Sequence, residues 1–325
     1  MKVKKSLPIP AAPLDYFDDG TTLYLLLTHK GSVQVVAYDA NEFKPLGAFW
    51  VEESVFDNSS LVGEDCLYLI TEEGVVAFDS FTGDKLQILN TGSLLPIKLC
   101  AECDRIFVLC GIPLAAGTAL DTRKFCISVH DRESGERLFQ TQNVMGDFFG
   151  PVADDGIWLV AGNVLYRFNH NGEVESEVDL YTNPGFDPIL TKSMVIVASE
   201  LGTLEVFDRS SLKPISKVLV DKNSSPPVCH HDTIYWATGK QIRQVDPSTG
   251  QFETIFESDE DVASTPMLKS DTMYFSAKGS LFSIDLPTGK VDSVKIEDAD
   301  LWKPVKSHSG DIYIASHSSF HQIEA

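Results

Sequence analysis

The chain of 325 residues contains no uninterrupted apolar run of about 18 residues, so we expect no transmembrane helix. Its start, MKVKKSLPIPAAPLDYF, is basic. The apolar part is short and is broken by Pro8, Pro10 and Pro13, which makes it a poor signal peptide. We therefore expect a cytoplasmic protein, with a leader removed before residue 1 as the alternative.

Basic residues are scarce: 26 Lys and Arg stand against 47 Asp and Glu, a formal net charge of −21. Such a surface repels phosphate backbones, which disfavours nucleic-acid binding. It attracts a basic protein or a cation. Plain solubility is the alternative explanation of the acidity.

The motifs of common catalytic sites are also absent. The sequence has no G-x-S-x-G, H-E-x-x-H or P-loop, and its eight histidines are scattered. Cys100 and Cys103 form a C-x-x-C, which is typical of a redox pair or half a zinc site. No second pair follows at zinc spacing, so buried or turn thiols are the alternative. We assign no catalytic residue and no metal ligand.

What the sequence does have is a repeat. The phrase VVAFDSFTG at 75–83 returns as SLFSIDLPTG at 280–289 and QIRQVDPSTG at 241–250. One polar anchor can be followed through eight copies at spacings of 38 to 40 residues, with one spacing of 52. The anchors are Asp39, Asp79, Asp131, Asn169, Asp208, Asp246, Asp285 and Glu324.

Each copy indicates four short strands, of which the second is rich in β-branched and aromatic residues and the third ends on the acid. No segment keeps a helical period. Tandem four-stranded units of about 39 residues are typical of a β-propeller. We predict an all-β, eight-bladed propeller of antiparallel blades in a single domain, 1–325, with residues 1–8 as the outer strand of blade 8. The blade bounds are roughly 9–50, 51–90, 91–142, 143–180, 181–220, 221–257, 258–296 and 297–325.

The recurring acid and glycine predict a tight turn between the third and fourth strands. The Asp79 carboxylate can accept main-chain N–H groups just beyond it, and Gly83 can supply a positive φ. A catalytic loop seldom needs eight copies in one domain. We therefore interpret this phrase as structural and look for function on the opposite face.

These phrases resemble the PQQ-repeat propellers (quinoprotein alcohol dehydrogenase-like and BamB-like). GVVAFDSFTG at 74–83 and GSLFSIDLPTG at 279–289 match that family's G-x-L-x-A-x-D-x-x-T-G pattern. The resemblance implies either a dehydrogenase that holds pyrroloquinoline quinone and calcium, or a non-catalytic scaffold like the BamB-type outer-membrane assembly factors. The chain lacks the adjacent cysteine pair of the enzymes, and Trp50 is the one plausible docking tryptophan. We predict no cofactor, with the quinone and calcium only under the enzyme alternative.

In a propeller, the connections between blades and the hairpins between strands two and three share one face, where function usually lies. Aromatic anchors and acids on that face favour a protein interface. The alternative is that the aromatic residues pack between blades and the acids are merely solvated. The predicted partner-binding face consists of Glu52, Glu53, Asp147, Phe148, Phe149, Tyr181, Phe186, Asp187, Glu257, Asp259, Glu260, Asp261, Asp298, Asp300 and Trp302.

Two further segments on this face are open to interpretation. A calcium site at 257–261 would lack the alternating D-x-D-x-D-G loop. The insertion at 111–123 predicts either a lid or contact arm, or a disordered loop. The leading functional prediction is a monomeric, non-enzymatic scaffold that binds a basic protein. The alternative is a quinone- or metal-dependent enzyme with its site at the channel mouth.

Overall fold

The computed structural model describes residues 1–10, 13–18, 21–29, 32–51, 55–62, 66–102, 104–113, 120–220, 225–262, 265–296, 301, 304–306, 310–316 and 318–324. For 17–18, 29, 56–62, 113, 120–123 and 306 it describes the backbone alone. These residues form 33 strands joined by turns and irregular segments. Among them, no helix has the length and apolarity needed to cross a membrane.

The strands form eight antiparallel sheets in which strands consecutive in sequence are hydrogen-bonded neighbours. There are two exceptions: the first strand of the chain joins the last sheet, and one short strand of the third sheet pairs with the strand two before it. This confirms the predicted all-β, eight-bladed β-propeller. The chain opens with β1 (Lys2–Pro8), which belongs to the last blade.

Blades 1 to 4 form one compact unit, Leu14–Pro188. Each is a meander whose strands pair in chain order, except that the last strand of blade 3 pairs with its third strand. The strands are β2 (Pro13–Asp18), β3 (Thr22–His29), β4 (Ser32–Asp39) and β5 (Pro45–Val51) in blade 1; β6 (Val55–Val62), β7 (Cys66–Thr71), β8 (Gly74–Asp79) and β9 (Lys85–Leu89) in blade 2; β10 (Leu95–Glu102), β11 (Arg105–Pro113), β12 (Leu120–Asp131), β13 (Arg137–Gln140) and β14 (Val144–Met145) in blade 3; β15 (Phe148–Ala153), β16 (Ile157–Ala161), β17 (Val164–Phe168) and β18 (Val174–Asp179) in blade 4.

Blades 5 to 8 form a second compact unit, Met1–Pro13 with Ile189–Ala325. The strands are β19 (Ile189–Leu190), β20 (Met194–Ala198), β21 (Thr203–Asp208) and β22 (Pro214–Leu219) in blade 5; β23 (Val228–His230), β24 (Thr233–Thr238), β25 (Gln241–Val245) and β26 (Phe252–Glu257) in blade 6; β27 (Met267–Lys269), β28 (Thr272–Ala277), β29 (Ser280–Asp285) and β30 (Lys290–Lys295) in blade 7; β31 (Val305–Lys306), β32 (Ile312–Ala315) and β33 (Ser319–Glu324), with β1, in blade 8.

The core of each unit lies between consecutive blades. Side chains on a strand alternate between its two faces, and in blade 2 each face contacts a different neighbour. Leu67 and Leu69 pack against blade 1, whereas Tyr68 and Ile70 pack against blade 3. The second and third strands are therefore buried on both sides, which explains their near-continuous apolar runs.

Blade 8 is completed by the chain start. Strand β1 pairs with β33 in antiparallel register, from Lys2 opposite Glu324 to Pro8 opposite Ser319. The N–H of Ile9 extends the ladder to the Ser318 carbonyl at 2.9 Å. This confirms that the first residues supply the outer strand, and it covers an edge that would otherwise be open to pairing with other chains.

Deleting residues 1–9 should lower the melting temperature by at least about 5 °C, because it removes this ladder and exposes β33. Thermal unfolding followed by circular dichroism measures the change. The control Lys2→Ala removes only the exposed ion pair with Glu324 and should shift the temperature by less than about 2 °C. A deletion variant that melts with the wild type would contradict the closure.

The hairpin between the third and fourth strands is held by its anchor residue. The Asp79 carboxylate accepts the N–H groups of Phe81 and Thr82 at 2.9 and 2.7 Å, and its carbonyl accepts the Gly83 N–H at 3.0 Å. Gly83 has φ +76°. The predicted turn is confirmed, and the same side-chain and carbonyl contacts recur at Asp39, Asp131, Asn169, Asp208, Asp246 and Asp285.

Glycine is not always needed at the left-handed position of this turn. Phe43 and Leu212 take it in blades 1 and 5, with φ +56° and +53°. At Gly83 a second constraint applies, because a Cβ there would overlap the Phe49 ring of the preceding blade. At Gly289 in blade 7, with φ +67°, a Cβ would meet no atom within 4 Å.

Gly83→Ala should therefore lower the free energy of unfolding by about 1–3 kcal/mol more than Gly289→Ala, the typical cost of overpacking. Both substitutions carry the same backbone strain, so their difference isolates the contact with Phe49. Urea unfolding of the two variants gives the comparison. Equal losses would show that the turn does not pack tightly against the preceding blade.

The insertion predicted at 111–123 is partly strand. Gly111 pairs with Phe125 and Pro113 with Leu120, so β11 and β12 continue beyond the length of their counterparts. Strand β14 then pairs with β12 at Lys124 and Phe125, which makes blade 3 five-stranded. The segment lengthens the hairpin between strands two and three, and residues 114–119 lie outside the described part of the chain.

Candidate functional site

The connections that leave each blade run beside the hairpin between its second and third strands. After β26, the N–H groups of Ser258 and Val262 donate to the carbonyls of Lys240 and Gly239 at 2.8 and 2.9 Å. After β18, the Leu180 N–H donates to the Asn163 carbonyl at 2.7 Å. The sequence-based expectation that connections and these hairpins share a face holds in both blades.

The connection from blade 6 to blade 7 carries four of the predicted acids. Glu257, Asp259, Glu260 and Asp261 are all exposed. The Lys278 ammonium lies 2.6 Å from a carboxylate oxygen of Glu260, and this hydrogen bond lowers the pKa of Glu260. We call residues 257–261 the acidic connection.

Two lysines beside the acidic connection were not predicted as part of the site. Lys278 pairs with Glu260, and the Lys240 ammonium donates to the Asp259 main-chain carbonyl. The signal was present, because Lys240 and Lys278 lie 38 residues apart in corresponding hairpins of blades 6 and 7. Four acids and these two lysines leave a net charge of −2, so the segment stays acidic.

Asp187 forms hydrogen bonds with two strands of the unit that contains blades 1 to 4. One carboxylate oxygen accepts the Gly150 N–H at 2.7 Å, and the other accepts a hydrogen bond from the Lys98 ammonium. The carboxylate thereby joins the connection after blade 4 to the first strands of blades 3 and 4. Asp147 is exposed, and its carbonyl accepts the Gly162 N–H at 2.6 Å.

The predicted aromatic residues differ in exposure. The Phe148 ring lies 4.6 Å from the Phe125 ring within the core shared by blades 3 and 4, which matches the packing alternative. Phe149 and Phe186 are half-buried. Tyr181 is 79% exposed. Of these four aromatic residues, Tyr181 alone has the exposure expected of an interface anchor.

The remaining predicted residues of the face lie outside the described part of the chain: Glu52, Glu53, Asp298, Asp300 and Trp302. Cys103 of the C-x-x-C does so too. Burial raises the pKa of its companion Cys100 to about 12, so that thiol is protonated at neutral pH and is a poor nucleophile. Cys110 and Cys126 are buried opposite each other on β11 and β12, and burial raises their pKa values as well.

The fold resembles those of many solved structures. No family model and no curated protein sequence matches the chain. The computationally designed protein Ika8 has a TM-score of 0.78 at 11% identity, over 97% of this chain and 98% of its own. BamB from Moraxella catarrhalis has a TM-score of 0.69 at 14% identity, over 99% of this chain and 97% of its own.

These likenesses concern the fold. With 1417 solved chains matching, the architecture is common, and a common fold supports many unrelated functions. The chain is thus a β-propeller similar in fold to Ika8 and BamB, and its function has to be argued from its own residues.

Proposed function

We propose that this chain is a non-enzymatic scaffold that binds a basic protein through the acidic connection. The observation that carries the proposal is the exposure of all four acids within five consecutive positions. An acidic cluster on an interblade connection lies where variable binding residues are found on rigid scaffolds. The repeat phrases and the BamB-like fold support placing the chain with the scaffold class of the PQQ-repeat propellers.

Charge sets both the rate of association and the class of protein that binds. A net charge of −21 attracts a basic protein over long range, and exposed carboxylates at the contact select lysine- and arginine-rich surfaces. Interactions of exposed charges are screened beyond about 8 Å at physiological salt. We therefore expect association that weakens strongly as salt is raised.

The acidic connection is held in place before a partner arrives. The amides of Ser258 and Val262 are bonded to the neighbouring hairpin, and Lys240 donates to the Asp259 carbonyl. A segment whose backbone is already ordered loses less conformational entropy on binding than a free loop does. The carboxylates of Asp259 and Asp261 are thereby presented at a defined position.

Reversing the charge of Glu257, Asp259, Glu260 and Asp261 to lysine should abolish capture of the partner. Wild type is immobilised in native lysate, the retained proteins are identified by mass spectrometry, and each is then titrated in purified form. We expect a basic protein whose affinity falls at least tenfold in the variant and declines steeply with salt.

A matched control separates the local site from net charge. Asp104, Glu133, Glu136 and Glu177 are also exposed, lie far from the acidic connection in sequence, and change the net charge equally when reversed to lysine. The control should keep the partner. Retention of every captured protein by the first variant, or equal losses in both, would refute the acidic connection as the binding site.

A further inference from the structure

Two consecutive hairpins of blades 6 and 7 bring three metal-ligating side chains together. The turn after β23 passes through His231 and Asp232, with φ +48° and +61°, and the turn after β27 passes through Ser270 and Asp271. Nε2 of His230 lies 2.9 Å, and Nε2 of His231 3.7 Å, from Oδ1 of Asp271. The two imidazole rings are 4.0 Å apart.

We propose that His230, His231 and Asp271 form a binding site for one divalent transition-metal ion of the zinc type, bridging blades 6 and 7. One donor atom from each residue lies within 4.8 Å of the others. Around a tetrahedral zinc ion with bonds of about 2.0–2.2 Å, neighbouring donors are roughly 3.3–3.6 Å apart. The separations of 2.9 and 3.7 Å bracket that range, so small side-chain rotations bring all three onto one ion.

The donor types select the metal. Two imidazole nitrogens and one carboxylate suit Zn²⁺, Co²⁺, Ni²⁺ or Cu²⁺, whereas Ca²⁺ and Mg²⁺ take mainly oxygen ligands. The site is therefore distinct in chemistry from the calcium that the enzyme alternative would require. It also lies apart from the acidic connection, on the hairpins between the first and second strands.

Exposure leaves room for the ion. The His230 side chain is 19% exposed, so it is held by its surroundings, whereas those of His231 and Asp271 are 81% and 57% exposed. Three protein ligands on an open surface leave at least one coordination position to water. Zinc sites with three protein ligands and a water molecule in the fourth position have this arrangement.

The neighbouring junction shows what an ordinary contact between blades looks like here. Lys269 of blade 7 occupies the repeat position of His230, and it donates to the Gly310 carbonyl at the repeat position of Asp271 in blade 8. One donor and one acceptor suffice for that contact. Blade 6 differs because His231, where blade 7 has Ser270, adds a second nitrogen donor beside the carboxylate.

Metal titration of the untagged full chain tests the site. Isothermal titration with ZnCl₂ and the visible absorption of added Co²⁺ should both show one saturable equivalent. His231→Asn keeps a residue that tolerates the left-handed turn, and Asp271→Asn keeps an acceptor for His230. Each variant should lose at least tenfold in affinity for Zn²⁺, and CaCl₂ should give no saturable heat.

The exposed His170, in the hairpin between β17 and β18, supplies the control. His170→Asn should bind Zn²⁺ like the wild type, and Zn²⁺ should raise the melting temperature of both, because an ion that binds the folded chain stabilises it. That increase should be lost in His231→Asn and Asp271→Asn. No saturable binding, or an affinity unchanged in both variants, would overturn the proposal.

Discussion

An oxygen of an aspartate or asparagine side chain that accepts main-chain N–H groups is the interaction on which this structure depends. It closes the hairpin between the third and fourth strands in seven blades. Hydrogen bonds from main-chain N–H groups stabilise the charged form of the carboxyl group. The backbone N–H of Thr82 therefore lowers the pKa of Asp79, and that of Ser134 lowers the pKa of Asp131. Since the turn sets where the fourth strand begins, it also determines which side chains meet the next blade.

The turns matter beyond their own sheets because they contact the blade before them. The Phe49 ring lies against Gly83, and the Gln87 side chain donates to the Ser134 carbonyl beside Gly135. Local turn chemistry and packing between blades therefore support each other. The anchor acids are bonded to main-chain N–H groups of their own turns, whereas the acids of the acidic connection are exposed and leave a partner something to bind.

The fold could be predicted well from the sequence because each blade of a propeller is encoded by a short repeated segment. The spacing of the anchors indicated eight blades. The last repeat has three strands and lacks a fourth, which indicated that residues 1–8 complete its blade. The site was harder, since its geometry depends on contacts between residues that are distant in sequence. Lys278 was missed as the partner of Glu260, and Asp271 as the neighbour of His230, 41 residues away. Phe148 shows a second limit: the residue type suits an interface, but only the position of Phe125 shows that the ring packs inside.

The recurring acid is a structural anchor, which leaves function to other residues. Hydroxyl groups reinforce several of these anchors. Among them, Ser210 and Ser211 lower the pKa of Asp208 to about 2, and Ser248 and Thr249 lower that of Asp246 to about 2. Side-chain carboxyl titration by NMR measures both directly. We expect values near 2, well below the ordinary value of about 3.9. Values at or above about 3.9 would contradict the claim, because the turn N–H and hydroxyl groups would then not be holding these carboxylates.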